Sequence, residues 1–227
     1  LPSRRIEQLL EGVADMPVTL FPRQMRQHLW AMPEHELLVL GAICRWLAPK
    51  LIIELGTYIG ASGLAMTANS PPGSRLITYD VPPHTRATHQ HGLGVGFHEF
   101  DVGGLFRGSL YEANIEQRFV NLAGFDGDEW RGQADLVFID ADHTYEFARH
   151  DTETAFAMLR PGGCIVWHDY TWSPENAECI GVTHVVHEVY ERHRHCFQIA
   201  GTRFAVLFDR PGEPPTGPMS ALRGVTT

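Results

Sequence analysis

The feature that most constrains this chain is a set of short apolar runs that close on an acid or a glycine. Leu51 to Leu55 runs into Gly56, and Arg75 to Asp80, Ala134 to Asp140 and Cys164 to Asp169 each end in an aspartate. Stretches with helical apolar spacing lie between them, at 60–69 and at 145–159, the second followed by an Arg160-Pro161-Gly162-Gly163 turn. Apolar strands alternating with helices predict a doubly wound α/β fold, with a mostly parallel sheet covered on both faces. Further strands are expected at 119–123, 196–200 and 203–209, and a further helix at 180–193. That makes seven strands. Gly201-Thr202 leaves no room for a helical crossover, so the last two strands should pair as an antiparallel hairpin. Upstream, 3–14 and 22–48 read as helical, with Pro33, Glu34 and Glu36 marking a helix start and Pro49 an end. The expected organisation is an N-terminal helical cap over 1–48, an α/β domain over 49–210, and a loose Pro- and Gly-rich tail over 211–227.

Composition narrows the class of partner. The 227 residues carry 18 basic and 27 acidic side chains, a net charge of −9, which argues against a generally cationic nucleic-acid or membrane surface. No window reads as a membrane span, because Arg45, Lys50 and Glu54 interrupt the most apolar stretch. The four cysteines, Cys44, Cys164, Cys179 and Cys196, form no CxxC pair, so a reducing cytoplasm is the expected compartment.

The segment Glu54-Leu55-Gly56-Thr57-Tyr58-Ile59-Gly60-Ala61-Ser62 sits at a strand-to-helix turn. Gly56 permits a sharp turn, and Gly60 lets a ligand approach the N-terminus of the next helix. A dinucleotide fingerprint would place a glycine where Glu54 stands, and an acid there repels a pyrophosphate. The same acid suits the ammonium of an amino-acid-like ligand. Asp80, at the end of the next strand, can grip ribose hydroxyls.

These residues resemble the S-adenosylmethionine site of class I methyltransferases, which have a Rossmann-like sheet. Phe138-Ile139-Asp140-Ala141-Asp142-His143-Thr144-Tyr145-Glu146, Leu159-Arg160-Pro161-Gly162-Gly163 and Trp167-His168-Asp169-Tyr170 resemble the bacterial small-molecule O-methyltransferase branch, related to catechol-type and macrolide-sugar enzymes. The resemblance covers about residues 50–210. It implies that Glu54, Gly56 and Gly60 line the methionine part of the cofactor, with Thr57, Tyr58 and Ser62 in the same segment. Asp80 would hold the ribose, Gly124, Phe125 and Asp126 would lie near the adenine, and Asp140 would border the cofactor too.

Asp140 and Asp169 close strands that are neighbours in the family's sheet. Two close anions call for a proton or a cation between them, and Mg²⁺ accepts such oxygens. Catechol-type relatives follow the second aspartate with an asparagine ligand, where this chain has Tyr170. His168 can supply a nitrogen instead, which favours Mn²⁺, Fe²⁺ or Zn²⁺, and Asp142 is a further candidate. His143 stands at the offset where relatives carry a lysine or histidine base. Tyr58, Tyr145, Trp167, Tyr170 and Trp172 are candidate walls of the acceptor pocket. The reading is methyl transfer from S-adenosylmethionine to a hydroxyl of a sugar or phenolic small molecule, assisted by a divalent metal. N-methyl transfer, metal-dependent hydroxylation and cofactor binding without turnover stay open on the same frame. Segments 15–33, 81–118 and 170–180 are the expected seat of acceptor choice, and the N-terminal helices could pair two subunits.

Overall fold

The computed structural model describes residues 1–25, 31–82, 101–173, 177 and 179–209. The strands are β1 (Ser3–Arg4), β2 (Leu51–Leu55), β3 (Arg75–Asp80), β4 (Ile115–Phe119), β5 (Ala134–Ile139), β6 (Leu159–Trp167), β7 (Cys196–Ile199) and β8 (Ala205–Phe208). The helices are α1 (Ile6–Leu9), α2 (Glu34–Leu47), α3 (Ala61–Ala68), α4 (Tyr145–Met158) and α5 (Ile180–Arg192), with short 3-10 turns between. The strands form one eight-stranded sheet in the order β1-β7-β8-β6-β5-β2-β3-β4. Every pairing is parallel except those of β8, which runs antiparallel to β6 and β7. The expected fold and closing hairpin are thus present.

The eighth strand comes from the N-terminus. The helix expected over 3–14 is instead the strand Ser3–Arg4 beside β7, one helical turn at Ile6–Leu9 and a 3-10 turn at Val13–Asp15. The two residues pair with Gln198 and Ile199 on the edge of β7, and this tertiary pairing outweighs local helix spacing. The helix expected over 22–48 is a 3-10 turn at Pro22–Met25 and then Glu34–Leu47, with residues 26–30 outside the described set.

The third predicted strand is displaced. β4 covers Ile115–Phe119, and the apolar run 119–123 mostly forms a turn in which the Asn121 side chain accepts from the Ala123 amide. β4 is an edge strand with half its surface wet, so it reads Ile-Glu-Gln-Arg-Phe rather than as an apolar run. The turn expected at 160–163 lies inside β6, where the register to β5 shifts and Gly162 takes φ +79. The tail from 210 and the core of segment 81–118, residues 83–100, lie outside the described residues.

Alternation along the strands builds two apolar layers. Ile52, Leu76, Leu136, Phe138 and Val166 face α2 and α3, meeting Leu37, Leu40, Ile43, Ala65 and Met66. Ile53, Ile77, Val137, Ile165 and Trp167 face α4 and α5, meeting Ala155, Met158, Val182 and Val186. α2 begins after Pro33, whose φ of −62 suits a helix start, and ends at Ala48 in a left-handed conformation before Pro49. Trp167, expected as a pocket wall, is wholly buried in the second layer and donates its indole N–H to Thr152 Oγ1 at 2.9 Å.

Order reverses between β2 and β5: the chain leaves β2 toward β3 and returns on the other side at β5. Such a switch point opens a crevice at the carboxyl ends of the strands. Leu55 pairs with Ile139, and Ile139 with Trp167, so Gly56, Asp140 and His168 all emerge at one level.

Candidate active site

At the end of β2 the glycine turn is built tightly. Gly56 has φ +98, and a Cβ there would stand 2.0 Å from the Asp140 carbonyl oxygen. Only glycine permits that approach. Tyr58 follows with φ +46, and Gly60, at φ +83, caps α3. The turn is organised by Asp80, whose Oδ2 accepts from the Thr57 and Tyr58 amides at 3.1 and 3.0 Å. Thr57 and Thr78 hydroxyls pair at 2.7 Å beneath it. Residues 103–106 lie over the turn: the Gly103 amide donates to Tyr58 O, the Leu105 amide to Ile59 O, and the Phe106 ring covers Gly60.

Glu54 is fully buried. Its Oε1 accepts from Ser62 Oγ at 2.5 Å, while Oε2 has no hydrogen-bond partner among the described residues. Burial pushes its pKa up to about 8, against the pull of the neighbouring Ser62 and Thr78 hydroxyls, and the Asp140 and Asp80 charges add to the rise. A buried carboxyl with an orphaned oxygen beside a glycine turn fits a cationic ligand group.

Beside the turn lies a charged cluster. His168 Nδ1 stands 3.2 Å from Asp140 Oδ1 and 3.1 Å from Asp169 Oδ2. Its Nε2 stands 2.9 Å from Glu36 Oε2. The Arg203 amide donates to Glu36 Oε1 at 2.7 Å, and its guanidinium donates to Asp169 Oδ1 at 2.6 Å. His143 Nε2 meets Asp169 Oδ2 at 2.9 Å, with Cys179 Sγ 3.8 Å from His143 Nδ1. Asp169 reaches three of these partners from a left-handed backbone, φ +58, a strained state for aspartate. Burial alone would lower the pKa of His168, but Asp140, Asp169 and Glu36 together lift it well above the ordinary value. The same opposition, against Asp169 and Cys179, lifts His143. Asp169 is pushed far down: the hydrogen bonds from His143 and His168 overcome its burial.

Sequence reasoning singled out Asp140, His143, His168 and Asp169, and the fold brings all four together. One ligand atom from each of Asp140, His168 and Asp169 lies within 4.8 Å of the other two, a donor set that fits a divalent cation of borderline hardness. Asp142 caps the Thr144 amide rather than joining them, and the Tyr170 hydroxyl pairs with His187 Nε2 at 2.9 Å. Gly124, Phe125 and Asp126 follow β4 as expected. The Phe125 ring packs on Tyr79 at 4.3 Å in the second apolar layer, and Asp126 caps the Asp128 amide.

Glu36, Arg203 and Cys179 were not singled out. Glu36 carried one signal: it precedes Leu37 and stands four residues before Leu40, on the helix side that goes inward.

A profile for the methyltransferase domain matches residues 53–170, just over half of the chain. The chain belongs to the methyltransferase-domain family. A Mycolicibacterium smegmatis protein named as an O-methyltransferase is 32% identical over 130 residues, 57% of this chain and 55% of that protein. Catechol O-methyltransferase of Mus musculus is 38% identical over 55 residues, 24% of this chain and 21% of that one. This methyltransferase-family chain spans about half the length of the mycobacterial relatives it matches. Among solved structures, the O-methyltransferase TomG of Streptomyces achromogenes, in complex with SAM, aligns with a TM-score of 0.61 at 16% identity, covering 87% of this chain and 93% of that one. An O-methyltransferase of Bacillus cereus in complex with SAH aligns with a TM-score of 0.59 at 14% identity, covering 88% and 95%. These likenesses establish the fold.

Proposed function

We propose that this chain transfers a methyl group from S-adenosylmethionine to a hydroxyl of a small molecule, a sugar or a phenol, with a divalent cation at Asp140, His168 and Asp169. The observation that carries the reading is the contact between Gly56 and the Asp140 carbonyl. It sets the glycine turn, where a donor would rest, against the carboxylate cluster, where an acceptor would be activated.

Glu54 would take the ammonium of the methionine part through its orphaned Oε2, and Asp80 the ribose, with Thr57, Tyr58, Gly60 and Ser62 shaping the bed. A cation held by the three donors would lower the pKa of an acceptor hydroxyl bound to it. Glu36 fixes the His168 ring so that Nδ1 faces both carboxylates, as an outer carboxylate does for many ligating histidines. Arg203 occupies Asp169 Oδ1 and leaves Oδ2 toward the crevice. His143, braced by Asp169 and a third exposed, would receive the acceptor proton in its neutral form, which its raised pKa confines to the higher end of the pH range. Joining an anionic oxygen and a sulfonium loses charge, so positioning supplies much of the acceleration. No helix among the described residues is long and apolar enough to cross a membrane, and the four cysteines are free, as suits a reducing cytoplasm.

The test is formation of S-adenosylhomocysteine from S-adenosylmethionine with a panel of phenols and sugars, with and without chelator. Turnover that stops in chelator and returns with Mg²⁺ or Mn²⁺ supports the reading. Absence of S-adenosylmethionine binding would remove it.

A further inference from the structure

The carboxylate cluster carries a thiol that the proposed reaction does not use. Cys179, at the N-terminus of α5, is 3% exposed and turns its thiol toward His143 Nδ1 at 3.8 Å. Across the same ring, His143 Nε2 meets Asp169 Oδ2 at 2.9 Å. One ligand atom from each of His143, Asp169 and Cys179 lies within 4.8 Å of the other two.

This juxtaposition is built into the fold. A Cβ at Gly181 would fall 2.4 Å from the His143 carbonyl and 2.5 Å from the Tyr145 amide. The first turn of α5 is therefore pressed onto the backbone of 143–145, which holds Cys179 beside His143. On the other flank, Arg203 secures Asp169 Oδ1 and leaves Oδ2 for the cluster. Cys44, Cys164 and Cys196 have no such setting: burial pushes their thiols up, to about 12 for Cys44 and Cys196.

We propose that Cys179, His143 and Asp169 form a site for one thiophilic divalent cation of the Zn²⁺ type, adjoining the Asp140–His168 donors and sharing Asp169 with them. Thiolate, imidazole and carboxylate together are a zinc-type donor set, and bonds of about 2.0–2.3 Å place tetrahedral ligand atoms about 3.3–3.8 Å apart. The 3.8 Å between Cys179 Sγ and His143 Nδ1 lies at the upper end of that range, and an Asp169 oxygen lies within 4.8 Å of one ligand atom of each. The His143 side chain, 34% exposed, gives the ion a route in and water a fourth position. Ligation takes Cys179 as a thiolate and His143 as a neutral imidazole, and the protons they give up leave to solvent. An ion there engages the imidazole assigned above as base, so its occupation would inhibit transfer. The binding claim itself is independent of the methyl-transfer reading.

Titration of the full chain with Co²⁺ tests this without any turnover. The wild type should develop a near-ultraviolet sulfur-to-cobalt charge-transfer band with a tetrahedral visible envelope, both displaced by Zn²⁺. Cys179→Ser should lose the charge-transfer band, and Asp140→Asn should keep it. A wild type without the band, or a band that survives Cys179→Ser, overturns the proposal. Should Cys179→Ser fail to fold, X-ray absorption of the Zn²⁺-loaded wild type decides: a shell of nitrogen and oxygen with no sulfur neighbour overturns it equally.

Discussion

His168 and Glu36 meet through Nε2 and Oε2 at 2.9 Å across 132 residues of chain, and both are nearly inaccessible to solvent. The contact ties α2, the helix before β2, to the crevice at the carboxyl ends of the strands. Removing the carboxylate leaves a buried imidazole and the Arg203 amide without their partner, a loss of about 3–5 kcal/mol for a broken buried pair. Glu36→Ala should therefore lower the unfolding free energy by about 3 kcal/mol in denaturant titration. Glu36→Gln keeps an acceptor for Nε2–H and should fold with a smaller loss. It should still weaken Mn²⁺ binding by about 10–100-fold, the usual effect of an outer-shell carboxylate. Unchanged Mn²⁺ affinity in Glu36→Gln would separate His168 from the metal.

Glu54 should report cofactor binding through a proton. Burial holds its pKa at about 8, so it is largely protonated at pH 7. An ammonium against Oε2 favours the carboxylate and pulls that pKa down, so binding should release a proton between about pH 6 and 8. Calorimetry of S-adenosylmethionine binding in buffers of different ionisation enthalpy measures this release. The observed enthalpy should vary with the buffer for the wild type and lose that variation in Glu54→Gln. A buffer-independent wild type would place the ammonium elsewhere.

The strand ends were legible because apolar runs closing on acids leave few choices of period: β2, β3 and β5 sit where the sequence places them, and with them Glu54, Asp80 and Asp140. The polar edge strand Ile115–Phe119 was not, because half of it faces water and carries no apolar signature. Glu36 was masked by position: an acid in the first turn of a helix reads as a complement to the helix dipole, and that reading competes with the inward side it shares with Leu37 and Leu40. Arg203 lies at a hairpin turn, and Cys179 meets His143 over 36 residues of separation, so neither contact has a local sign.

Asp140 and Asp169 should matter for turnover far more than for cofactor affinity. Asparagine is the substitution to make, since it tolerates the left-handed backbone at Asp169 where alanine would add strain. Asp140→Asn and Asp169→Asn should each lower kcat by about 100-fold or more, the scale for losing an activating group. The dissociation constant for S-adenosylmethionine should stay within a few-fold, because the proposed function assigns that binding to Glu54, the glycine turn and Asp80. Single-turnover rates alongside equilibrium dialysis separate the two effects. Loss of cofactor binding in both variants would mean that the carboxylates line the donor and not the acceptor.

Asp151 costs the fold stability as pH rises from acid toward neutrality. It lies on α4 at 2% exposure, and burial, reinforced by the Asp142 charge, raises its pKa from 3.8 to about 7. Below pH 3.8 both folded and unfolded chains hold the proton. Above it the unfolded chain releases the proton while the folded chain retains it, so stability falls by about 1.4 kcal/mol per pH unit until the folded group ionises near pH 7. The full loss is up to about 4 kcal/mol. Glu54, raised to about 8, contributes a slope of the same sign over a window beginning near 4.5. Asp151→Asn should therefore reduce, and not abolish, the fall in melting temperature between pH 5 and 8, and should be the more stable protein at pH 8. The double change with Glu54→Gln should flatten the profile further. A wild-type melting temperature that holds constant or rises over this range would show that Asp151 ionises in the folded protein as readily as in the unfolded chain.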